Sequence, residues 1–286
     1  MRPNYGQQLR AKVNAETSVS FLGVYDVFSA TLAGKHSDAL FLSGFGFAAS
    51  FYGLPDIGFI SWSDIVAYTQ RVRTVLPEHH LLVDIDDGYG DPEVACHVVR
   101  LMESVGASGV VLEDQRRPRR CGHFEGKQLL ELDEYIVKLK KVLEARNELF
   151  VIARTDSSDI EDIVRRVTAF ANAGADAVLV DGLRDLSLIH ELKNLVNVPV
   201  TFNQIAGGKS PVCNLQELEQ AGISLVIYST PCLFAAQSAI NEALLSLKVN
   251  QGSLGVVGDR RVGVRRCNDV LLDNLSRRNG EAKVTV

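Results

Sequence analysis

Eight short apolar runs recur along this chain with helical patterns between them, and that alternation leaves few architectures open. The runs lie near 19–24, 39–43, 81–85, 109–112, 149–153, 177–180, 198–202 and 224–228. Continuous apolar runs of this length suit strands covered on both faces, as in parallel sheets. The clearest helix follows Ser157-Ser158-Asp159, a ready N-cap, with Ile160, Ile163, Val164, Val167 and Phe170 on one face. Three junctions, at Gly106, Gly174 and Gly222, end a helix on glycine and turn straight into the next run. The pattern predicts an α/β fold of the (β/α)8 TIM-barrel type. A doubly wound sheet comes second, because no nucleotide-binding fingerprint follows the first run.

At 286 residues the chain suits one such barrel, and its net charge of -5 gives no global argument for nucleic acid. The five cysteines are odd in number and form no CxxC pair, which points away from a disulfide framework or zinc knuckle. Neither a signal peptide nor a membrane-spanning run is evident, so a soluble cytoplasmic protein is expected. Residues 1–248 read as the barrel and 249–286 as an appendage, loosened by Gly252, Gly255, Gly258 and Gly263. Arg260, Arg261, Arg265 and Arg266 make it basic; a short apolar helix around Val270, Leu271, Leu272 and Leu275 follows, and disorder is expected from about Arg278.

Barrel chemistry collects at the C-terminal ends of the strands. Those ends carry Tyr25-Asp26, Ser43-Gly44, Asp84 and Asp86, Glu113, Arg154 with Asp156, Asp181, Asn203 and Tyr228. Asp84 and Asp86 fall on one side by strand alternation. Two adjacent carboxylates repel unless a cation lies between them, and oxygen ligands select Mg²⁺ or Mn²⁺. After the fourth run comes Glu113-Asp114-Gln115-Arg116-Arg117-Pro118-Arg119-Arg120-Cys121-Gly122-His123. A thiol among so many arginines is expected to have its thiolate stabilised. Gly207-Gly208-Lys209-Ser210 is no phosphate loop, since its first glycine would fall at Asn203. His79-His80 precedes its strand, and His97 and His190 lie in helical patterns.

These residues together resemble the isocitrate lyase/phosphoenolpyruvate mutase superfamily, over about residues 5–248. The resemblance rests on Leu42-Ser43-Gly44, Gly53-Leu54-Pro55-Asp56-Ile57-Gly58, the Asp84/Asp86 motif ending Gly88-Tyr89-Gly90, and Pro118-Arg119-Arg120-Cys121-Gly122-His123. Tyr25-Asp26 with Ser29-Ala30, Glu113-Asp114-Gln115, Ile152-Ala153-Arg154-Thr155-Asp156, and Asn203 before Gly207-Gly208-Lys209-Ser210-Pro211 add to it. The nearest likeness is to the short 2-methylisocitrate lyase, dimethylmalate lyase and carboxyphosphonoenolpyruvate mutase group.

The resemblance implies that Asp84 and Asp86 hold Mg²⁺ (or Mn²⁺), with Asp56 and Glu113 completing its acidic surround. Tyr25, Ser43, Gly44 and Phe45 would face the substrate, Arg154 would clamp its carboxylate, and Asn203 would take a second one. The loop from about 115 to 127 would be a closing gate whose Arg119, Cys121, Gly122 and His123 complete the site, with Cys121 as the acid. Three positions depart from the usual pattern: Arg119 stands for lysine, Asp181 for glutamate and Ala206 for glutamate. The implied activity is cleavage of a C–C bond in a 2-hydroxy di- or tricarboxylate. Phosphorus–carbon chemistry on a phosphonate, oxaloacetate decarboxylation or hydrolysis, and a non-catalytic binding protein are the alternatives. The apolar helix from Cys232 to Leu247 is expected to be exchanged between subunits of a homotetramer.

Overall fold

The computed structural model describes residues 4–253 and 262–280. Its strands are β1 Val19–Val24, β2 Ala39–Leu42, β3 His80–Asp84, β4 Gly109–Glu113, β5 Phe150–Thr155, β6 Ala177–Val180, β7 Val200–Gln204 and β8 Leu225–Tyr228. They close in chain order into one all-parallel barrel, β8 pairing with β1. The helices are α1 Tyr5–Ala15, α2 Val27–Ala33, α3 Gly44–Phe47, α4 Trp62–Val75, α5 Pro92–Ser104, α6 Leu132–Ala145, α7 Ile160–Ala173, α8 Ser187–Leu195, α9 Leu215–Ala221, α10 Pro231–Val249 and α11 Val264–Arg278. The (β/α)8 expectation is met.

Two strands run further than their apolar residues suggest. β4 continues to Glu113 and β5 to Thr155, because Glu113 and Arg154 are register partners and also form an ion pair at 3.3 Å. Polar residues that read as loop are thus held rigidly on the sheet, facing the site.

Two apolar clusters hold the barrel. One fills its interior, with Phe21, Phe41, Leu82, Val111, Ile152, Leu179 and Ile227; Leu9 and Val13 of α1 belong to it and close the N-terminal end. The other lies between strands and helices and includes Ile65, Val99, Leu139 and Phe170. Each such fully buried side chain contributes roughly 1.5–3 kcal/mol. α7 shows how the sequence specifies its part. Asp159 Oδ1 accepts the Asp162 N–H at 2.8 Å, Ile163, Val167 and Phe170 are buried, and Gly174 ends the helix at φ 98.

α10 has no buried residue, and Ile240, Leu244, Leu245 and Leu247 are exposed along it. α11, longer than the short helix expected, returns to the barrel wall, where Asn274 Nδ2 donates to Thr31 Oγ1 at 2.9 Å. Gly255, Gly258, Arg260, Arg261 and the chain end from 281, where loosening and disorder were expected, lie outside the described residues.

Candidate active site

The acids after β3 sit on a constrained turn. Asp86 (φ 49) and Tyr89 (φ 66) adopt left-handed backbone conformations, each costing on the order of 1–3 kcal/mol. The surroundings hold them there. Lys138 Nζ donates to the carbonyls of Asp87 and Gly90 at 2.9 and 2.8 Å, and the Glu113 N–H donates to the Asp86 carbonyl at 2.9 Å. Opposite them, Ser43 caps α3, accepting the Gly46 N–H at 3.1 Å. A Cβ on Gly44 would lie 3.0 Å from Asp84 Oδ2, a tight contact, so this backbone runs close against the acids.

The 115–127 loop lies down over this floor. The Gln115 side chain ties its two limbs, donating to the Arg120 carbonyl at 2.7 Å and accepting the Arg120 N–H at 2.9 Å. Arg117 forks onto Asp87 at 2.8 and 2.7 Å, and the Cys121 N–H donates to the Asp56 carbonyl at 3.1 Å. Arg119 reaches deepest, and only 1% of its surface is exposed. Its guanidinium donates to Glu113 Oε1 at 2.7 Å, pairs with Asp56 and lies 3.2 Å from Asp86 Oδ1. At the far side, a Cβ on Gly122 would collide with Asp181, Arg154 and Asp156, so the gate packs on the rim through bare backbone.

Arg154 is the second buried cation. It bonds Asp156 through two contacts of 3.0 Å, Asp181 at 2.9 Å and Glu113 at 3.3 Å. Asp181 also accepts Asn203 Nδ2 at 2.7 Å, and Asn203 Oδ1 accepts from Ser229 Oγ at 2.6 Å. Burial alone would raise the Asp181 carboxyl, but Arg154, then His123 and Asn203, hold it well below the usual range. Burial pushes Glu113 up to about 8 even though Arg119 and Arg154 oppose it. It raises Asp86 strongly too, against the pull of Arg119.

Cys121 corrects the expectation of a stabilised thiolate. Burial, then the charge of Asp56, pushes its thiol up to about 12. The arginines that promised otherwise are committed elsewhere: Arg119 to the acids, Arg117 to Asp87 and Arg116 to Glu134 at 3.0 Å. Cys121 is a neutral thiol.

A small cavity of about 20 Å³ gathers Ser43, Phe45, Asp56, Asp84, Cys121, Gly122, His123, Arg154, Asp181 and Asn203. Asp86, Glu113 and Arg119 adjoin it through the contacts above, and Gly44 through its approach to Asp84. Tyr25 is not among the lining residues; it is half-buried, with its Cβ against Gly46. A larger cavity of about 750 Å³ lies outside the gate, bounded by Lys127, Asp156, Asp181, Arg184 and Lys209. The smaller one is where thiol, acids and Arg154 meet. Sequence reasoning missed two supports: Ser229, and Lys127, whose Nζ bonds the Gly122 carbonyl and lies 3.1 Å from Asp156 Oδ1. Nothing in the sequence marked Ser229; Lys127 stood at the end of the gate stretch without a partner.

The acid cluster fits a hard cation. Both Asp86 carboxylate oxygens and Glu113 Oε2 are buried without a hydrogen-bond partner. Among the described residues, no three carboxylate, imidazole or thiol groups converge as a ready-made cage. Mg²⁺ does not require one, because it keeps several waters and is bound by one or two carboxylates plus substrate.

Residues 9–248 match the Phosphoenolpyruvate phosphomutase family. The 2-methylisocitrate lyase of Bacillus subtilis (strain 168) is 33% identical over 252 residues, covering 86% of this chain and 82% of that protein. The structure of a 2,3-dimethylmalate lyase superposes with a TM-score of 0.90 at 28% identity, covering 98% of this chain and 95% of the other. An oxaloacetate acetylhydrolase in complex with the inhibitor 3,3-difluorooxalacetate superposes at 0.89 and 28% identity, covering 99% of each chain.

Proposed function

The chain belongs to the phosphoenolpyruvate phosphomutase family, and we propose that within it the protein is a Mg²⁺-dependent lyase. Its substrate would be a 2-hydroxy di- or tricarboxylate of the 2-methylisocitrate or dimethylmalate kind. The observation that carries this reading is the Cys121 thiol, closed by the gate into the same cavity as Arg154 and Asp84.

Ser43, Gly44 and Phe45 offer backbone and hydroxyl groups to the substrate carboxylate, and Arg154 adds its charge. Mg²⁺ on Asp84 and Asp86, with Asp56 and Glu113 behind, would supply Lewis-acid stabilisation of the oxyanion that develops as the bond breaks. The 2-hydroxyl gives its proton to a carboxylate of the acid cluster and its oxygen becomes the carbonyl of the 2-oxo product, while the C–C bonding pair leaves on the departing carbon as an enolate. Cys121 delivers the proton to that carbon, and a raised thiol pKa is no obstacle against so basic an acceptor. Arg119 and Arg117 anchor the gate so that water stays out until protonation is complete.

Oxaloacetate cleavage is a second reading, supported by the likeness to an oxaloacetate acetylhydrolase over 99% of each chain. A product screen by mass spectrometry decides. It would use 2-methylisocitrate, dimethylmalates, oxaloacetate, phosphonopyruvate and carboxyphosphonoenolpyruvate, and C–C cleavage of a hydroxy acid is the expected result. Turnover confined to a phosphonate would replace the lyase by a phosphorus–carbon enzyme.

Among the described residues no helix is long and apolar enough to cross a membrane. With five free cysteines, a cytoplasmic setting is the fitting proposal. The uncovered apolar side of α10 supports a homotetramer with this helix exchanged between subunits. Light scattering at micromolar concentration should give an oligomeric mass, and a monomer would refute it.

A further inference from the structure

Ser229 follows directly on β8, whose last residue is Tyr228. Strand alternation turns it to the same inward face as Ile227 of the barrel interior, the register partner of Asn203 on β7. β1 makes room for it, because a Cβ on Gly23 would collide with the Ser229 carbonyl. Ser229 and Asn203 are both buried, and both line the smaller cavity.

A side-chain amide can be turned either way, and a serine hydroxyl can donate or accept. Here the contacts allow one arrangement. An Arg154 guanidinium nitrogen lies 2.9 Å from Asp181 Oδ2, so Asp181 is a carboxylate and only accepts. The Asn203 atom that faces Asp181 Oδ1 at 2.7 Å is therefore the amide nitrogen. That leaves the amide oxygen facing Ser229 Oγ at 2.6 Å, and the hydroxyl must donate to it. Asn203 Oδ1 is thereby engaged by the protein, whereas Nδ2 has given one of its two N–H groups to Asp181 and keeps the other.

We propose that Ser229 is a positioning residue: by donating to Asn203 Oδ1 it fixes the amide so that the cavity meets an N–H donor and not a carbonyl. The substrate group received at Asn203 must then be an acceptor, a carboxylate or another oxyanion, and an ammonium arm is refused. This rests on the lyase reading for which carboxylate arrives there, but not for the orientation of the amide.

The test uses the full chain with Mg²⁺ and two probes. Oxalate is short enough to stay at the metal and Arg154; 3,3-difluorooxalacetate carries a further carboxylate beyond its 2-oxo acid end. Calorimetry should show Ser229→Ala binding the longer probe roughly 5–30-fold more weakly, the worth of a buried carbonyl left without its donor. The same variant should bind oxalate within about 2-fold of wild type, a difference too small for a lost hydrogen bond. Ser229→Thr keeps the hydroxyl and should bind both probes within about 3-fold of wild type. Asn203→Asp sets a second carboxylate against Asp181 and should weaken the longer probe more than Ser229→Ala does. Equal loss of both probes in Ser229→Ala would reduce Ser229 to a structural contact and overturn the proposal. Unchanged binding of the longer probe by Ser229→Ala, a Thr variant as poor as Ala, wild-type affinity in Asn203→Asp, or no binding of either probe by wild type would overturn it too. If the pattern holds but the product screen finds no C–C cleavage, the lyase reading falls and the role of Ser229 stands.

Discussion

Two buried arginines, one at each end of the barrel, show how differently the same side chain is used. Arg73, at the N-terminal end, donates only to backbone carbonyls: Gly106 at 2.9 and 2.7 Å, Leu76 at 2.9, Pro77 at 3.0 and His79 at 2.8 Å. Its guanidinium also lies 3.8 Å from the centre of the Tyr5 ring. With no carboxylate against it, burial lowers its pKa to about 10. Burial would lower Arg119 as well, but Asp86, Glu113, Asp56 and Asp84 raise it well above the ordinary value. Arg73 joins chain segments with dipoles and leaves no net demand. Among the described residues, Arg119, Arg154 and Lys127 face Asp56, Asp84, Asp86, Glu113, Asp156 and Asp181, so carboxyls outnumber cations, the imbalance that the proposed Mg²⁺ would answer. One end of the barrel is balanced for stability, and the other is left unbalanced for binding.

The largest effect expected from this contrast is at Asp86. Asp86→Asn should abolish turnover, on the order of 10⁴-fold, since it removes charge that a metal worth several kcal/mol depends on. It should also raise the melting temperature of the metal-free protein, because a buried, poorly compensated carboxylate is gone. EDTA should silence the wild type and Mg²⁺ restore it. Full activity in excess chelator would break the comparison.

Next comes Cys121→Ser, which should keep substrate affinity but slow the chemical step by roughly 10²–10⁴-fold. Near wild-type cleavage of a hydroxy acid would remove the thiol from the mechanism.

At the balanced end, Arg73→Met should leave turnover per folded molecule unchanged while costing about 3 kcal/mol or more, because several buried carbonyls lose their donor. Urea unfolding measures this, and a change below about 0.5 kcal/mol would make the two arginines more alike than the structure indicates.

The smallest effect is a rate of modification. With its thiol pushed up to about 12 and 7% of the residue exposed, Cys121 should resist iodoacetamide at neutral pH more than the half-buried Cys232. Protection should be complete below the pKa of a free thiol, about 8.5, and fade as pH rises towards the folded value. Arg119→Ala, which unlatches the gate, should speed the reaction. Rapid alkylation of Cys121 in the wild type at neutral pH would sink the neutral-thiol assignment.

The barrel was legible because its cause is local. Eight apolar runs, the helical faces between them and the glycine exits at Gly174 and Gly222 each act within a few residues, and closure follows once every strand must be covered on both sides. The rim positions of Asp84, Asp86, Glu113, Arg154, Asp181 and Asn203 were legible for the same reason, as the polar ends of those runs. Only the tertiary structure decided which charge answers which. In sequence the arginines of the gate stand next to Cys121, and proximity along the chain suggested a stabilised thiolate. In space Arg119 turns to Asp56, which is 63 residues away in the chain, and to Glu113, and burial then governs the thiol. The Nδ1 of His123 accepts the N–H of Lys209, at a separation of 86 residues. Strand and helix formation sums short-range preferences that a sequence displays, whereas protonation depends on desolvation and on distances between groups that only the closed barrel brings together.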